Sequence, residues 1–204
     1  MIQTYQDNPE LAQDMVATSY RRFMTTGRVL IPEQRLIYEQ LATILAGRKV
    51  LEAGCGIGLG TSILARQCAA LGTDVSPMQV AFARQMFPCD YNVWDIASGP
   101  YVPNGADVVV AVEVIEHLRD YRAGLTNLVA SASHEVWLST PNRNNPSLSD
   151  ERPNNQHHVH EFTPDELLQL AGPLCKLVTV HHWDGLEEVD SGSDITPLLY
   201  HLML

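Results

Sequence analysis

Long apolar runs are missing from this chain of 204 residues. A membrane-spanning helix needs roughly 20 consecutive apolar residues, so no span is expected. The opening stretch Met1-Ile2-Gln3-Thr4-Tyr5-Gln6-Asp7 has neither a basic start nor an apolar core, and does not read as a secretory signal. Cysteine is sparse. Cys55, Cys68, Cys89 and Cys175 are widely scattered, with no C-x-x-C pair. That spacing argues against disulfides and a zinc site, and suits reduced thiols in a cytoplasmic protein. Positive charge is also short: 13 Lys and Arg stand against 24 Asp and Glu, a formal net charge of −11. A protein that tracks a phosphate backbone normally offers a basic surface, so nucleic acid is a disfavoured partner. Repeats and boundary-like linkers are absent as well, and one domain spanning residues 1–204 is expected.

What is present is alternation. Residues 9–46 read as helical. Pro9-Glu10-Leu11-Ala12 begins one helix, and Pro32-Glu33 suits the first turn of a second. In the second, Leu36, Ile37, Gln40, Leu41, Ile44 and Leu45 make one face at helical spacing. The region 1–48 is expected to form a helical cap, from which Tyr5, Tyr20, Arg21, Arg22 and Arg28 can reach a site. Strand-like runs follow at 50–53, 69–74, 91–95, 107–112 and 135–139, with helical patterns at 59–67, 77–87 and 120–131. Such alternation implies right-handed crossovers and a parallel sheet. The polar stretch 142–162 is too long for an ordinary connection and is expected to be a lid. Thr163 and Glu166 then form a capping box for a last helix, and closing strands are expected at 176–183 and 197–204.

Chemistry belongs at the carboxyl ends of such strands. After the first run come Glu52, Gly54, Gly56 and Gly58, then a helix. A glycine turn between strand and helix lets the backbone approach a polar ligand. The dinucleotide fingerprint G-x-G-x-x-G fails in both frames, because Leu59 or Thr61 stands where its last glycine would be. Asp74 ends the second strand, where a carboxylate can accept both hydroxyls of a ribose. Asp95 ends the third, and an Asp accepts well from an amino group. The fourth runs through Val112 into Glu113-Val114-Ile115-Glu116-His117. A helical turn starting at Glu113 would put Glu116 and His117 on its own face at i+3 and i+4. His117 is then a general-base candidate.

The stretch from Glu52 to Gly58 resembles motif I of the class I S-adenosylmethionine (SAM)-dependent methyltransferases, acidic-x-Gly-x-Gly-x-Gly. The segment Gly72-Thr73-Asp74-Val75-Ser76-Pro77 resembles that family's second motif. The resemblance implies a doubly wound α/β, Rossmann-like fold. Its seven-stranded sheet would be mostly parallel, with an antiparallel last strand. It also implies roles: Asp74 on the ribose, Val75 on adenine, and Asp95 with the Ile96 amide on the adenine edge. Glu52, Gly54, Gly56, Gly58 and Val112 complete the implied cofactor set. Glu-x-x-Glu-His is similar to a segment of ubiquinone-pathway O-methyltransferases and small-RNA 3′-end methyltransferases, where it binds a divalent ion. Glu113, Glu116 and His117 are thus either a base and its neighbours or ligands of Mg²⁺ or Mn²⁺. His158 to Thr163 resembles a His-Val-x-Glu-Phe-Thr element of methyltransferases from glycan and cell-envelope pathways, which adds His158 to Glu113 and His117 as catalytic candidates. The short Ser131-Ala132-Ser133-His134 lacks the Gly-Gly which that group carries before its fifth strand. The expected activity is SAM-dependent methylation, at oxygen, of a small-molecule or sugar acceptor by a monomer or homodimer. The alternatives are an RNA 3′-end enzyme and a SAM-binding module without catalysis.

Overall fold

The computed structural model describes residues 31–102, 105–146, 157–190, 192–194 and 196–204. The first expected helix, the five N-terminal residues expected to reach the site, and the interior of the expected lid at 147–156 lie outside the described residues. Twelve helices and strands alternate along the rest. Helix α1 (Pro32–Ile44) precedes β1 (Lys49–Ala53), α2 (Leu59–Leu64), β2 (Ala69–Asp74), α3 (Pro77–Met86) and β3 (Asp90–Val93). Then come β4 (Ala106–Val112), α4 (Tyr121–Ser131), β5 (Ala132–Thr140), α5 (Pro164–Ala171), β6 (Leu177–His182) and β7 (Leu198–Met203).

The strands form one seven-stranded sheet in the order β3-β2-β1-β4-β5-β7-β6. The ladders from β3 to β5 are parallel, while β7 runs antiparallel to both β5 and β6. This is the doubly wound, mostly parallel sheet expected from the sequence. Strands buried on both faces need continuous apolar runs. In β4, Val108, Val110 and Val112 face one core with Trp137 and Leu199, and α1 and α2 supply Ile37, Leu41, Ile63 and Leu64 to it. Val109 and Ala111 face the other, with Leu138, Phe162, Leu167 and Tyr200. Among the described residues between β3 and β4 there is no α-helix, only a 3₁₀ turn at Ile96–Ser98 and a loop.

Helix α1 begins as expected, with Pro in its first turn, but its buried face is rotated. Tyr38 is 3% exposed whereas Ile44 is 48% exposed. The Tyr38 hydroxyl donates to the buried Glu52 carboxylate at 2.6 Å. The buried face, Ile37, Tyr38, Leu41 and Ala42, places Tyr38 where this hydrogen bond can form. Helix α5 has the expected capping box, with the Thr163 hydroxyl accepting from the Glu166 amide and the Glu166 carboxylate accepting from the Thr163 amide. The described ends of segment 142–162 are tied down. Asn142 pairs with Phe162 in an isolated parallel bridge, and both are fully buried. No described helix is long and apolar enough to cross a membrane.

Candidate active site at the sheet switch point

The chain leaves β1 towards β2 on one side and returns to β4 on the other, so the crevice lies at their carboxyl ends. The glycine turn after β1 opens this crevice. Gly54 has φ +73°, and a Cβ there would sit 2.6 Å from a methyl of Val114. Only glycine fits that backbone at that distance. Gly58 has φ +91°, and its missing Cβ makes room for Ala83 and Tyr91. It serves helix packing, and it does not line the crevice.

A cavity of about 170 Å³ follows the turn, with Gly54 and Gly56 on one wall. Asp74 faces them. Its carboxylate accepts the Gly56 amide at 2.9 Å on one oxygen and the Ser76 amide at 2.9 Å on the other. These bonds fix both oxygens in place while leaving each a further lone pair. Burial raises the Asp74 pKa, against the opposing pull of the two amides. Val75, Trp94, Ile96 and Leu118 add apolar walls. Asp95 lines the same cavity and accepts the Ala97 amide at 3.0 Å, which caps the 3₁₀ turn.

Glu113 and His117 form the far wall. Glu113 is a non-glycine residue at φ +56°, a costly conformation that surrounding contacts must hold. Its amide donates to the Ser139 carbonyl at 3.1 Å, and its carboxylate accepts the Ser139 hydroxyl at 2.9 Å. Burial pushes its pKa up to about 7, with the Ser139 hydrogen bond opposing. The turn after it is a three-residue 3₁₀ helix, Ile115–His117, and not an α-turn beginning at Glu113. Glu116 therefore points into the protein while Glu113 faces the crevice. Glu116 is 0% exposed, accepts the Thr140 hydroxyl at 3.2 Å on Oε2, and among the described residues has no hydrogen-bond partner on Oε1. Burial, then repulsion from Glu113, drives its pKa well above the usual carboxylate range.

The segment after 156 closes against this turn. The Val159 and His160 amides both donate to the Glu116 carbonyl, at 2.7 and 3.2 Å. His117 Nδ1 lies 3.0 Å from the His157 carbonyl. A carbonyl only accepts, so that nitrogen carries the proton. Burial lowers the His117 pKa to about 4, so the ring is neutral at ordinary pH and its lone pair is on Nε2. His158 is buried, with Nδ1 at 2.8 Å from Glu161 Oε1, and its ring meets that of His117 edge to face at 4.9 Å. Ligand atoms of Glu116, His117 and His158 all lie within 4.8 Å of one another. Glu113 is not in that group, so the metal-type cluster differs by one residue from the set expected from the sequence.

Of the sequence-nominated cofactor residues, the structure brings Gly54, Gly56, Asp74, Val75, Asp95 and Ile96 to one cavity. Glu52, Gly58 and Val112 lie behind it. Glu52 is fully buried beneath the glycine turn, hydrogen-bonded by the hydroxyls of Tyr38 and Thr61. Trp94, Gln79 and Leu118 line the cavity without having been singled out. Trp94 directly precedes Asp95, and that adjacency was the available signal. Glu161, the partner of His158, stands three residues further along the same family-like element, and that spacing is its signal.

A model of the methyltransferase domain family matches residues 20–172. A probable S-adenosylmethionine-dependent methyltransferase of Mycolicibacterium smegmatis is 35% identical over 164 residues, 76% of this chain. The match spans 64% of that relative's own length. A ubiquinone biosynthesis O-methyltransferase of Coxiella burnetii is 26% identical over 82% of this chain and 81% of its own. Among solved structures, a TehB-like SAM-dependent methyltransferase of Corynebacterium glutamicum shares the fold, with a TM-score of 0.70 and 22% identity over 96% of this chain and 98% of that one. The glycine turn, the strand-end carboxylates and the matched family model agree, and the chain belongs to the methyltransferase domain family of the class I SAM-dependent methyltransferases.

Proposed function

We propose that the protein transfers the methyl group of SAM to an oxygen of a small-molecule or sugar acceptor. One observation carries this reading: His117 belongs both to the cofactor-type cavity and to the cluster with Glu116 and His158. The cavity fits the cofactor by the chemistry of its donors. Asp74 has lone pairs for two ribose hydroxyls, Asp95 suits an amino group, and Gly54 and Gly56 clear space for close backbone approach. Bound there, SAM supplies an electrophilic methyl on sulfur. The protein's own task is to hold the acceptor oxygen in line and to take its proton. His117 offers the second task an Nε2 lone pair with its Nδ1 proton held by the His157 carbonyl, while burial, which lowers its pKa, makes it a weaker base than a free imidazole.

A divalent cation is the second reading, and the buried, unpartnered Oε1 of Glu116 favours it. One carboxylate and two imidazoles, from Glu116, His117 and His158, suit a divalent transition metal such as Mn²⁺ better than Mg²⁺, which prefers oxygen ligands. Such an ion would lower the pKa of an acceptor hydroxyl, and Glu116 would be held as the carboxylate. The net charge of −11 weighs against the RNA 3′-end alternative.

Calorimetry and turnover test these readings. The protein should bind SAM and not NAD, and Asp74→Ala should weaken SAM binding by about 1–3 kcal/mol. Clear NAD binding without a SAM response overturns the proposal. A screen of sugar nucleotides and phenolic compounds by methyl release should identify an acceptor. On it, His117→Ala should cut turnover by about two to four orders of magnitude with SAM affinity nearly intact. Loss of activity to a chelator, restored by Mn²⁺ or Mg²⁺, selects the metal reading; indifference to the chelator selects the plain base. Tight SAM binding with no turnover on any acceptor points to the non-catalytic module.

A further inference from the structure

Segment 157–162 holds both imidazoles of the site from outside the sheet. It is anchored by main-chain bonds that no side-chain change removes: Val159 and His160 to the Glu116 carbonyl, and Arg143 to the Phe162 carbonyl at 2.9 Å. From this strap, the His157 carbonyl takes the Nδ1 proton of His117. Glu161, 1% exposed, stands in the same relation to His158, with Oε1 at 2.8 Å from Nδ1. A carboxylate at one ring nitrogen fixes the tautomer and leaves the other nitrogen as the lone-pair donor. Glu161 takes no part in the methyl transfer proposed above, and its burial is offset by its pairing with His158.

We propose that Glu161 is a positioning residue of the site, locking His158 as the Nδ1–H tautomer so that its Nε2 lone pair serves the cluster with Glu116 and His117. The strap thereby sets both rings alike, one through a main-chain carbonyl and one through a side-chain carboxylate. Glu161 touches neither cofactor nor acceptor in this role, and acts through His158. The proposal rests on the reading of this cluster as the catalytic centre.

The test uses the full chain with ¹⁵N-labelled histidine and long-range ¹H–¹⁵N spectra at neutral pH, assigned with His117→Gln and His158→Gln. Both rings should carry their proton on Nδ1 in the wild type. In Glu161→Leu, His158 should lose that pattern while His117 keeps it, because the His157 carbonyl is unchanged. Mn²⁺, titrated without cofactor or acceptor, should bind Glu161→Leu about 10- to 100-fold more weakly than wild type. Glu161→Gln offers an amide oxygen to the same proton and should rescue both the ring pattern and most of the affinity. A wild-type His158 protonated on Nε2, or on both nitrogens, overturns the proposal. So does a Glu161→Leu variant with unchanged ring pattern and Mn²⁺ affinity. If the wild type binds no Mn²⁺, the metal reading fails by itself and the ring pattern alone decides the role of Glu161. If the leucine variant does not fold, the wild-type pattern and Glu161→Gln decide it.

Discussion

Glu52 shows how one side chain does structural work beneath a binding turn. It lies where a motif residue is expected, yet no solvent reaches it. Tyr38 from α1 and Thr61 from α2 both donate to its carboxylate. Burial pushes its pKa from 4.5 up to about 7, and the two hydroxyls only partly offset that cost. The native state therefore holds this proton more tightly than the unfolded chain does. The stabilisation is complete below about pH 4.5 and is lost as pH rises through about 7. Glu52→Gln keeps an uncharged acceptor for Tyr38 at every pH. Relative to wild type it should gain stability between pH 5 and pH 8, by up to about 3 kcal/mol, in denaturant titrations at both pH values. A difference that does not change with pH would show that Glu52 is ionised throughout. The Glu52 motif was plain in the sequence. Its partners were not, because Tyr38 is 14 residues upstream and meets it only once α1 packs on the sheet.

At the scale of elements, local signals were read most faithfully. Helix α5 starts at the expected capping box, and α3 starts with Pro77 after the Ser76 hydroxyl has accepted the Gln79 amide. Both depend on residues within one turn of each other, so the signal is complete in the local sequence. Thr163→Ala should destabilise the protein by about 1 kcal/mol, visible as a lower midpoint at unchanged slope in urea. Because α5 supplies the fully buried Leu167 to the core, its loss of order should register globally and not as local fraying. The turn after β4 went differently. Sequence spacing alone favours an α-turn from Glu113, but Ser139 on β5 holds that residue at φ +56° and a 3₁₀ turn follows. A partner 26 residues away outweighs the local preference.

At the scale of the molecule, β7 ties β6 to the rest of the sheet. It lies between β5 and β6 and hydrogen-bonds to both. Leu198, Leu199, Tyr200 and Leu202 are 0% exposed and enter both cores. Burying each stabilises by about 2 kcal/mol, a total comparable to the whole net stability of a domain. Removing residues 198–204 should abolish cooperative unfolding in circular dichroism. A truncated chain with a sharp thermal transition would show that β6 can close against β5 without it.

The chain's own pattern determined the alternation of strands and helices, the glycine turn and the carboxylates at the strand ends. Each of these is set by residues close in sequence, through hydrophobic period, backbone freedom or capping. Glu116, His117 and His158 were each legible as polar residues beside a strand end or in a polar loop. Spacing joined Glu116 and His117 to Glu113, and the resemblance added His158, but the arrival of His158 beside them is set by no local signal. It requires the chain to return some 40 residues after the 3₁₀ turn, where the His157 carbonyl meets His117 and the Glu116 carbonyl receives two amides of the returning segment. The tertiary structure also left Glu113 outside that group, because a left-handed residue sends its side chain to the crevice while its neighbour three positions on is turned into the core.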